Sequence, residues 1–244
     1  MTSPAAIPAR WRDVKDFIRL GGPVLRTHPL LENVFPDVVW GMPDPVSSCP
    51  IHLTFDDGPD PNGTPRILDV LARHNIPATF FLTGSGVVGQ PKLVGEILTA
   101  GHRIGYHGLS HDTWWFRLRT RRDVEMDPSI ITHLDGNPFE GSRKPLLLRA
   151  PYGRIDFATL TSADRLNARL VHWRLAIRDW MDDVPASTLA RMLYRYAHPG
   201  DILLLHDGGP NTRALAKALD LVIPAWKRAG MKLKSIEPFL ETFR

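Results

Sequence analysis

Five short stretches of this chain carry residue types that could act together on a polar substrate. The first is Thr54-Phe55-Asp56-Asp57-Gly58-Pro59. Two adjacent carboxylates after an apolar run repel each other if both are buried, and a cation, or a proton on one of them, relieves the repulsion. Consecutive side chains leave a strand in opposite directions, so where the strand runs into a turn one carboxylate can reach a metal while the other faces a reacting centre. The alternative is an Asp-Gly turn with both carboxylates in water. The second stretch is His107-Gly108-Leu109-Ser110-His111. Its spacing puts two imidazoles on one helix face or in one tight loop. Two neutral imidazoles and a carboxylate form a common site for zinc or a similar divalent ion, with a position left for water. Two unrelated surface histidines fit the spacing as well.

The third stretch, Arg149-Ala150-Pro151-Tyr152-Gly153, follows the apolar Leu146-Leu147-Leu148. The arginine can hold a nearby carboxylate ionised. The proline and glycine shape a turn that could present a backbone N–H to an oxyanion. A surface arginine after an edge strand is the competing reading. The fourth and fifth stretches are Asp179-Trp180 and Leu204-Leu205-His206-Asp207. A histidine at a strand end with an aspartate partner is a candidate general acid, and a satisfied core histidine is the alternative.

The elements that must position these groups are legible as apolar runs alternating with helical patterns. Strands are expected at Ile51–Phe55, Ala78–Leu82, Arg103–Tyr106, Leu146–Arg149, Val171–Ala176, Asp201–Leu205 and Lys232–Ile236. Between them, Thr64 reads as an N-cap with Pro65 in the first helical position. Lys92–Ala100 reads as a helix closed by Gly101, a further helix lies near Thr188–Ala197, and Arg213–Arg228 reads as a helix kinked at Pro224. About seven strands with intervening helices point to an α/β barrel or a parallel sheet, with the polar clusters at the C-terminal ends of the strands. Eight of the 22 prolines lie in residues 1–50, so that stretch should hold little regular structure beyond a short helix near Arg10–Leu20. Residues 1–48 read as an N-terminal extension packed on a domain of residues 49–244.

Composition narrows the function classes. A chain of 244 residues with 43% hydrophobic and 23% charged residues is an ordinary globular polypeptide. A formal charge of +4 does not suggest nucleic-acid binding. No apolar segment is long enough for a membrane-spanning helix, no signal-peptide pattern opens the sequence, and a lone Cys49 excludes an internal disulfide, which together suggest a cytoplasmic protein.

In order and spacing, TFDDGP, HxxxH, RAPYG, DW and LLLH resemble the five signature motifs of the polysaccharide deacetylases, carbohydrate esterase family 4, also called the NodB homology domain. The resemblance runs from about Ile51 to Ile236, and Ala78-Thr79-Phe80-Phe81 and Gly101-His102-Arg103-Ile104-Gly105 add to it. It implies a distorted (β/α) barrel and removal of an N-acetyl group from an N-acetylated sugar or oligosaccharide. Asp57, His107 and His111 would bind a divalent metal, zinc first, with cobalt or nickel as alternatives. Asp56 would be the general base, paired with Arg149. The Tyr152 backbone N–H would stabilise the oxyanion. His206, oriented by Asp179, would protonate the leaving amine. Leu204 and Trp180 would line the pocket for the acyl methyl. The chain departs from the family pattern at Gly108, where Ser or Thr is usual, and at Ala176, where Asp is usual.

Other features are less specific. Arg117, Arg119, Arg121 and Arg122 form either a solvated surface or a site for a phosphate-bearing sugar. The second version would suit a deformylase or O-deacetylase acting on a lipid- or phosphate-linked sugar. Trp114 and Trp115 could stack on a sugar ring or divide between core and surface. His102 should cap a turn, and Cys49 should be a buried small residue. A non-catalytic carbohydrate-binding protein of the same fold is the competing class.

Overall fold

In a computed structural model, residues 24–27, 29–42, 48–110 and 146–236 are described. Their strands are β1 (Leu25–Arg26), β2 (Ile51–Asp56), β3 (Thr79–Leu82), β4 (Arg103–Tyr106), β5 (Leu146–Leu148), β6 (Ala168–Leu170), β7 (Leu175–Ala176), β8 (Ile202–His206) and β9 (Leu233–Lys234). They form one sheet in the order β1-β7-β8-β2-β3-β4-β5-β6, with β9 paired to β2. All pairings are parallel except β1 with β7. The helices are α1 (Pro29–Val34), α2 (Thr64–Arg73), α3 (Gly84–Gly89), α4 (Pro91–Thr99), α5 (Phe157–Arg165), α6 (Ala186–Tyr196) and α7 (Thr212–Arg228), with a 3-10 turn at Pro151–Gly153.

The two faces of the sheet have separate cores. Leu53, Phe55, Phe80, Leu82, Ile104, Leu203 and Leu205 pack with helix residues such as Ile67 and Leu71 of α2 and Leu219 and Trp226 of α7. The alternate side chains Phe81, Leu147, Val171 and Ile202 form a smaller inner cluster with Val39 and Ile236. Because side chains alternate along a strand, Thr54 and Asp56 leave β2 on the face opposite Leu53 and Phe55. Leu204 and His206 do the same on β8. The register pairs Thr54 with Leu204 and Asp56 with His206, so the polar ends of the two central strands share one face.

The chain runs from Leu170 to Leu175 between strands near opposite ends of the strand order. Five residue steps reach at most about 18 Å, so the sheet must curl until its ends approach. Residues before the first central strand fill that seam. Val39 bridges Val171 and Gly41 bridges Asp201. The Val39 N–H donates to Leu170 O at 2.8 Å, and the Val39 carbonyl accepts from the His172 N–H at 2.7 Å. Arg26 pairs with Asp201 at 3.0 Å and Arg174 with Glu32 at 2.7 Å, fastening the segment at two further points. No helix among the described residues is long and apolar enough to cross a membrane.

The distorted α/β barrel is as expected, with differences in detail. The sheet has nine strands among the described residues because β1 and the β6–β7 division were not anticipated. Val171–Ala176 is not one strand: Ala168–Leu170 pairs with β5 and Leu175–Ala176 with β8 and β1, while between them the carbonyls of Val171 and His172 accept from Arg149. Thr64 is not an N-cap. Gly63 holds that position, and the Thr64 hydroxyl donates to Asp207 while accepting from the Asp60 N–H at 2.8 Å. Residues 25–34 hold a strand and a short helix despite the prolines around them. Cys49 is half-buried. His102 is buried, its Nδ1 accepting the Ala78 N–H at the entry to β3 rather than capping a turn. The helix expected near Arg10–Leu20, Trp114, Trp115 and the four arginines 117, 119, 121 and 122 lie outside the described residues, as does His111.

Candidate active site

The polar clusters converge at the C-terminal ends of β2, β4, β5 and β8. Arg149 follows β5 and is wholly buried. One guanidinium nitrogen donates to Asp56 Oδ1 and to Thr54 Oγ1, both at 2.7 Å; the other donates to the His172 carbonyl at 2.8 Å, and Nε donates to the Val171 carbonyl at 3.3 Å. Its planar head lies 4.0 Å above the centroid of Phe81, a cation–π contact that a desolvated guanidinium favours. Burial lowers the Arg149 pKa, and the Asp56 charge and hydrogen bond oppose that loss. The surface-arginine reading is therefore excluded, and Asp56, 2% exposed, is no solvated turn residue.

Asp57 sits where β2 ends, with φ of 73°. Asp tolerates this left-handed conformation better than most residues. His107 ends β4, and its Nδ1–H donates to the Arg149 carbonyl at 2.8 Å. That bond fixes the tautomer, so Nε2 is the acceptor nitrogen. Nε2 lies 3.4 Å from Asp57 Oδ1 and 3.7 Å from Asp56 Oδ2. Gly108 has φ of 79°, a conformation in which a side chain would be strained. Its carbonyl accepts from Gly84 N–H at 2.9 Å, and the Leu109 carbonyl accepts from Ser85 N–H at 2.8 Å. Backbone bonds to α3 thus secure this loop without a side chain at Gly108.

On the other side, the Asp179 carboxylate accepts the His206 backbone N–H at 2.6 Å and its ring Nδ1–H at 3.1 Å. Trp180 meets the His206 ring edge-on, centroids 5.6 Å apart. Burial alone would lower the His206 pKa. The Asp179 charge and hydrogen bond, with Asp57 and Asp56 beyond, outweigh it and raise the pKa to about 9. Leu204 lies one residue pair behind on the same face of β8, 7% exposed. Tyr152 occupies the 3-10 turn after Arg149, with φ of 58°, and its side chain is about half exposed. Ala176 is buried in β7 opposite Leu204 and adds no polar group.

The structure therefore brings together Asp56, Asp57, His107, Arg149, Asp179, Trp180, Leu204 and His206, with Tyr152 at the rim. No group of three or more metal-binding side chains is assembled among the described residues; of the three expected ligands, Asp57 and His107 are described and adjacent. A carboxylate beside an imidazole whose second nitrogen is anchored by a carbonyl suits a divalent ion, since such an anchor orients the ligand nitrogen. Three supporting residues had no assigned role. Thr54 accepts from Arg149 and its hydroxyl donates to the Leu203 carbonyl at 2.6 Å; its place two residues before Asp56 was the available signal. Gly105 leaves room for Phe81, because a Cβ there would lie 2.6 Å from the ring. Asp207 is wholly buried against Gly58, whose Cβ would fall 2.3 Å from its carboxylate.

A curled, largely parallel sheet thus gathers the Arg149–Asp56 and Asp179–His206 pairs at the C-terminal ends of its strands. The family model for polysaccharide deacetylase matches residues 44–171, and the chain belongs to that family, carbohydrate esterase family 4 with the NodB fold. It is 33% identical over 207 residues to a peptidoglycan-N-acetylglucosamine deacetylase of Bacillus cereus, covering 83% of this chain and 92% of the relative. It is 33% identical over 199 residues to a chitooligosaccharide deacetylase of a Bradyrhizobium species, covering 75% and 87%. The structure of Bacillus subtilis PdaA, a family 4 carbohydrate esterase, superposes with a TM-score of 0.73 at 28% identity, covering 89% of this chain and 91% of that one.

Proposed function

We propose that this protein is a metal-dependent hydrolase that removes the N-acetyl group from an N-acetylated sugar or oligosaccharide. The observation that carries the proposal is the presence of two dyads, the buried Arg149 with Asp56 and the buried Asp179 with the partly exposed His206, with Asp56 and His206 on neighbouring strands in matching register. One dyad suits a base and the other an acid, which is what an amide requires, because water is a poor nucleophile and an amine a poor leaving group.

Asp57, His107 and His111 would hold the ion, zinc by preference, with cobalt or nickel able to replace it. When bound, it would acidify a water and polarise the acyl oxygen. The chain's own groups do the rest. Arg149 orients Asp56 through one oxygen and leaves the other for the reacting centre. Asp56 takes the proton as the water oxygen bonds to the acyl carbon. The Tyr152 backbone N–H meets the charge that develops on the acyl oxygen. The C–N bond then breaks, with His206 supplying the proton the departing nitrogen needs and Asp179 holding the ring in place. Trp180 and Leu204 close around the acyl methyl. The products are acetate and the free amino sugar.

The names of the relatives make N-acetylglucosamine in peptidoglycan or chitin oligomers the first substrates to try. The test is acyl release by protein stripped of metal and reloaded with zinc or cobalt, on N-acetylglucosamine oligomers, peptidoglycan fragments, acetylated xylan and phosphate-linked N-acyl sugars. Release should need both the metal and Asp56, so Asp56→Asn should bind metal and lose turnover, while Asp57→Ala should lose the metal. Full activity in Asp56→Asn would overturn the mechanism. Saturable sugar binding without acyl release under any metal would replace the enzyme with a binding protein.

A further inference from the structure

One residue touches both Arg149 and the turn that carries Tyr152, and belongs to none of the motifs. His172 lies in the seam between β6 and β7. Its carbonyl takes a hydrogen bond from Arg149 at 2.8 Å, so its main chain helps hold the guanidinium against Asp56. Its ring Nε2–H donates to the Gly153 carbonyl at 3.2 Å, in the turn that carries Tyr152. That turn needs support. Tyr152 and Gly153 both have left-handed backbones, φ 58° and 63°, and a non-glycine residue persists there only when its surroundings hold it. The fit is close: a Cβ on Gly153 would lie 3.0 Å from His172 Nε2 and 2.5 Å from the Trp173 ring.

The ring is itself held by two tryptophans. Trp173 stacks on it at 3.8 Å between centroids and 19° between planes, and Trp40 leans on it at 4.4 Å. Trp40 is anchored by its Nε1–H to the Phe35 carbonyl at 3.2 Å. Val39 accepts the His172 backbone N–H at 2.7 Å. Burial keeps the imidazole neutral, with its pKa lowered to about 3, so it carries a single N–H and must place it on Nε2 to reach Gly153. Trp40 and Val39 precede the stretch matched by the family model, which begins at residue 44.

We propose that His172 is a positioning residue that couples the Arg149–Asp56 pair to the Tyr152–Gly153 turn, and that Val39 and Trp40 of the N-terminal segment make it rigid enough to do so. The inference rests on the deacetylase reading for its kinetic consequence but not for its structural one. His172→Gln can keep an N–H near the Nε2 position, whereas His172→Leu cannot.

The test compares both variants with the full-length, metal-loaded wild type on N-acetylglucosamine oligomers. His172→Leu should lose at least tenfold in kcat with KM within twofold, and His172→Gln should stay within threefold of wild type. Amide hydrogen exchange in the peptide spanning Ala150–Arg154 should rise at least tenfold in the leucine variant only. If the leucine variant does not fold, Trp40→Leu replaces it, with the same direction expected in kcat and exchange. Unchanged exchange, or equal kcat losses in the glutamine and leucine variants, would overturn the inference. A wild type that releases no acyl group would overturn the deacetylase reading alone, because the exchange measurement still judges the coupling.

Discussion

Arg149 and Asp56 meet at 2.7 Å with neither side chain more than 3% exposed. A buried ion pair is a weak source of net stability, but removing one partner leaves the other charged and unsolvated. Arg149→Met should therefore cost about 3–5 kcal/mol of unfolding free energy. It should also remove most acyl release at neutral pH, because Asp56 loses the partner that orients it. Urea melts and steady-state kinetics check both; a variant of unchanged stability and turnover would refute the pairing.

The Asp179–His206 dyad sets an alkaline limit. His206 must be protonated to donate, and its pKa is raised to about 9, so activity should fall as pH passes through that region. Asp179→Asn removes the charge that raises it most, and the alkaline limb should move down by a unit or more. Stability should follow the same limb: a raised folded pKa gives stability that is complete below about 6.5 and is lost as pH rises through about 9. Thermal melts of wild type at pH 6 and pH 10 should diverge more than those of the variant.

Asp207 is held back from ionising. Burial first, then the neighbouring Asp57 and Asp56 charges, raise its pKa to about 7 against the hydrogen bond from Thr64. A carboxyl raised on folding contributes stability that is full below 3.8 and lost as pH climbs through about 7. Asp207→Asn should flatten the stability profile between about pH 4 and pH 7. Parallel profiles for the two proteins would show that Asp207 does not titrate in this range.

Gly105 has no side chain to give the chemistry, yet it should matter to it. A Cβ would lie 2.6 Å from the Phe81 ring and 3.0 Å from Leu147 Cβ. The ring, which carries the Arg149 guanidinium 4.0 Å above its centroid, would have to shift. Gly105→Ala should cost about 1–3 kcal/mol in stability through overpacking and reduce kcat disproportionately. Melting curves and steady-state kinetics on the same samples separate the two effects.

The main strands were legible because Ile51–Asp56, Thr79–Leu82, Arg103–Tyr106 and Ile202–His206 are short apolar runs ended by polar residues, and the site residues sit at those ends. What the sequence hid was set by distant partners. Val171–Ala176 alternates like a strand, but two carbonyls at its start are claimed by Arg149. Thr64 looks like a cap, but a buried carboxyl 143 positions away takes its hydroxyl proton. His172 has no motif around it, and its meaning depends on Trp40 and Gly153 arriving from separate parts of the chain.

The pairing of Asp56 with His206 across β2 and β8 has a consequence for how such a protein can change over time. Parallel neighbours in a sheet stand about 4.8 Å apart whatever their side chains, so the hydrogen-bond ladder acts as a ruler between the two groups assigned to proton transfer. A one-residue slip of either strand would send its group to the wrong face and break the pair. The loops around the rim obey no such measure. New substrates can be explored by editing the loops, while the distance on which the chemistry depends is inherited with the fold.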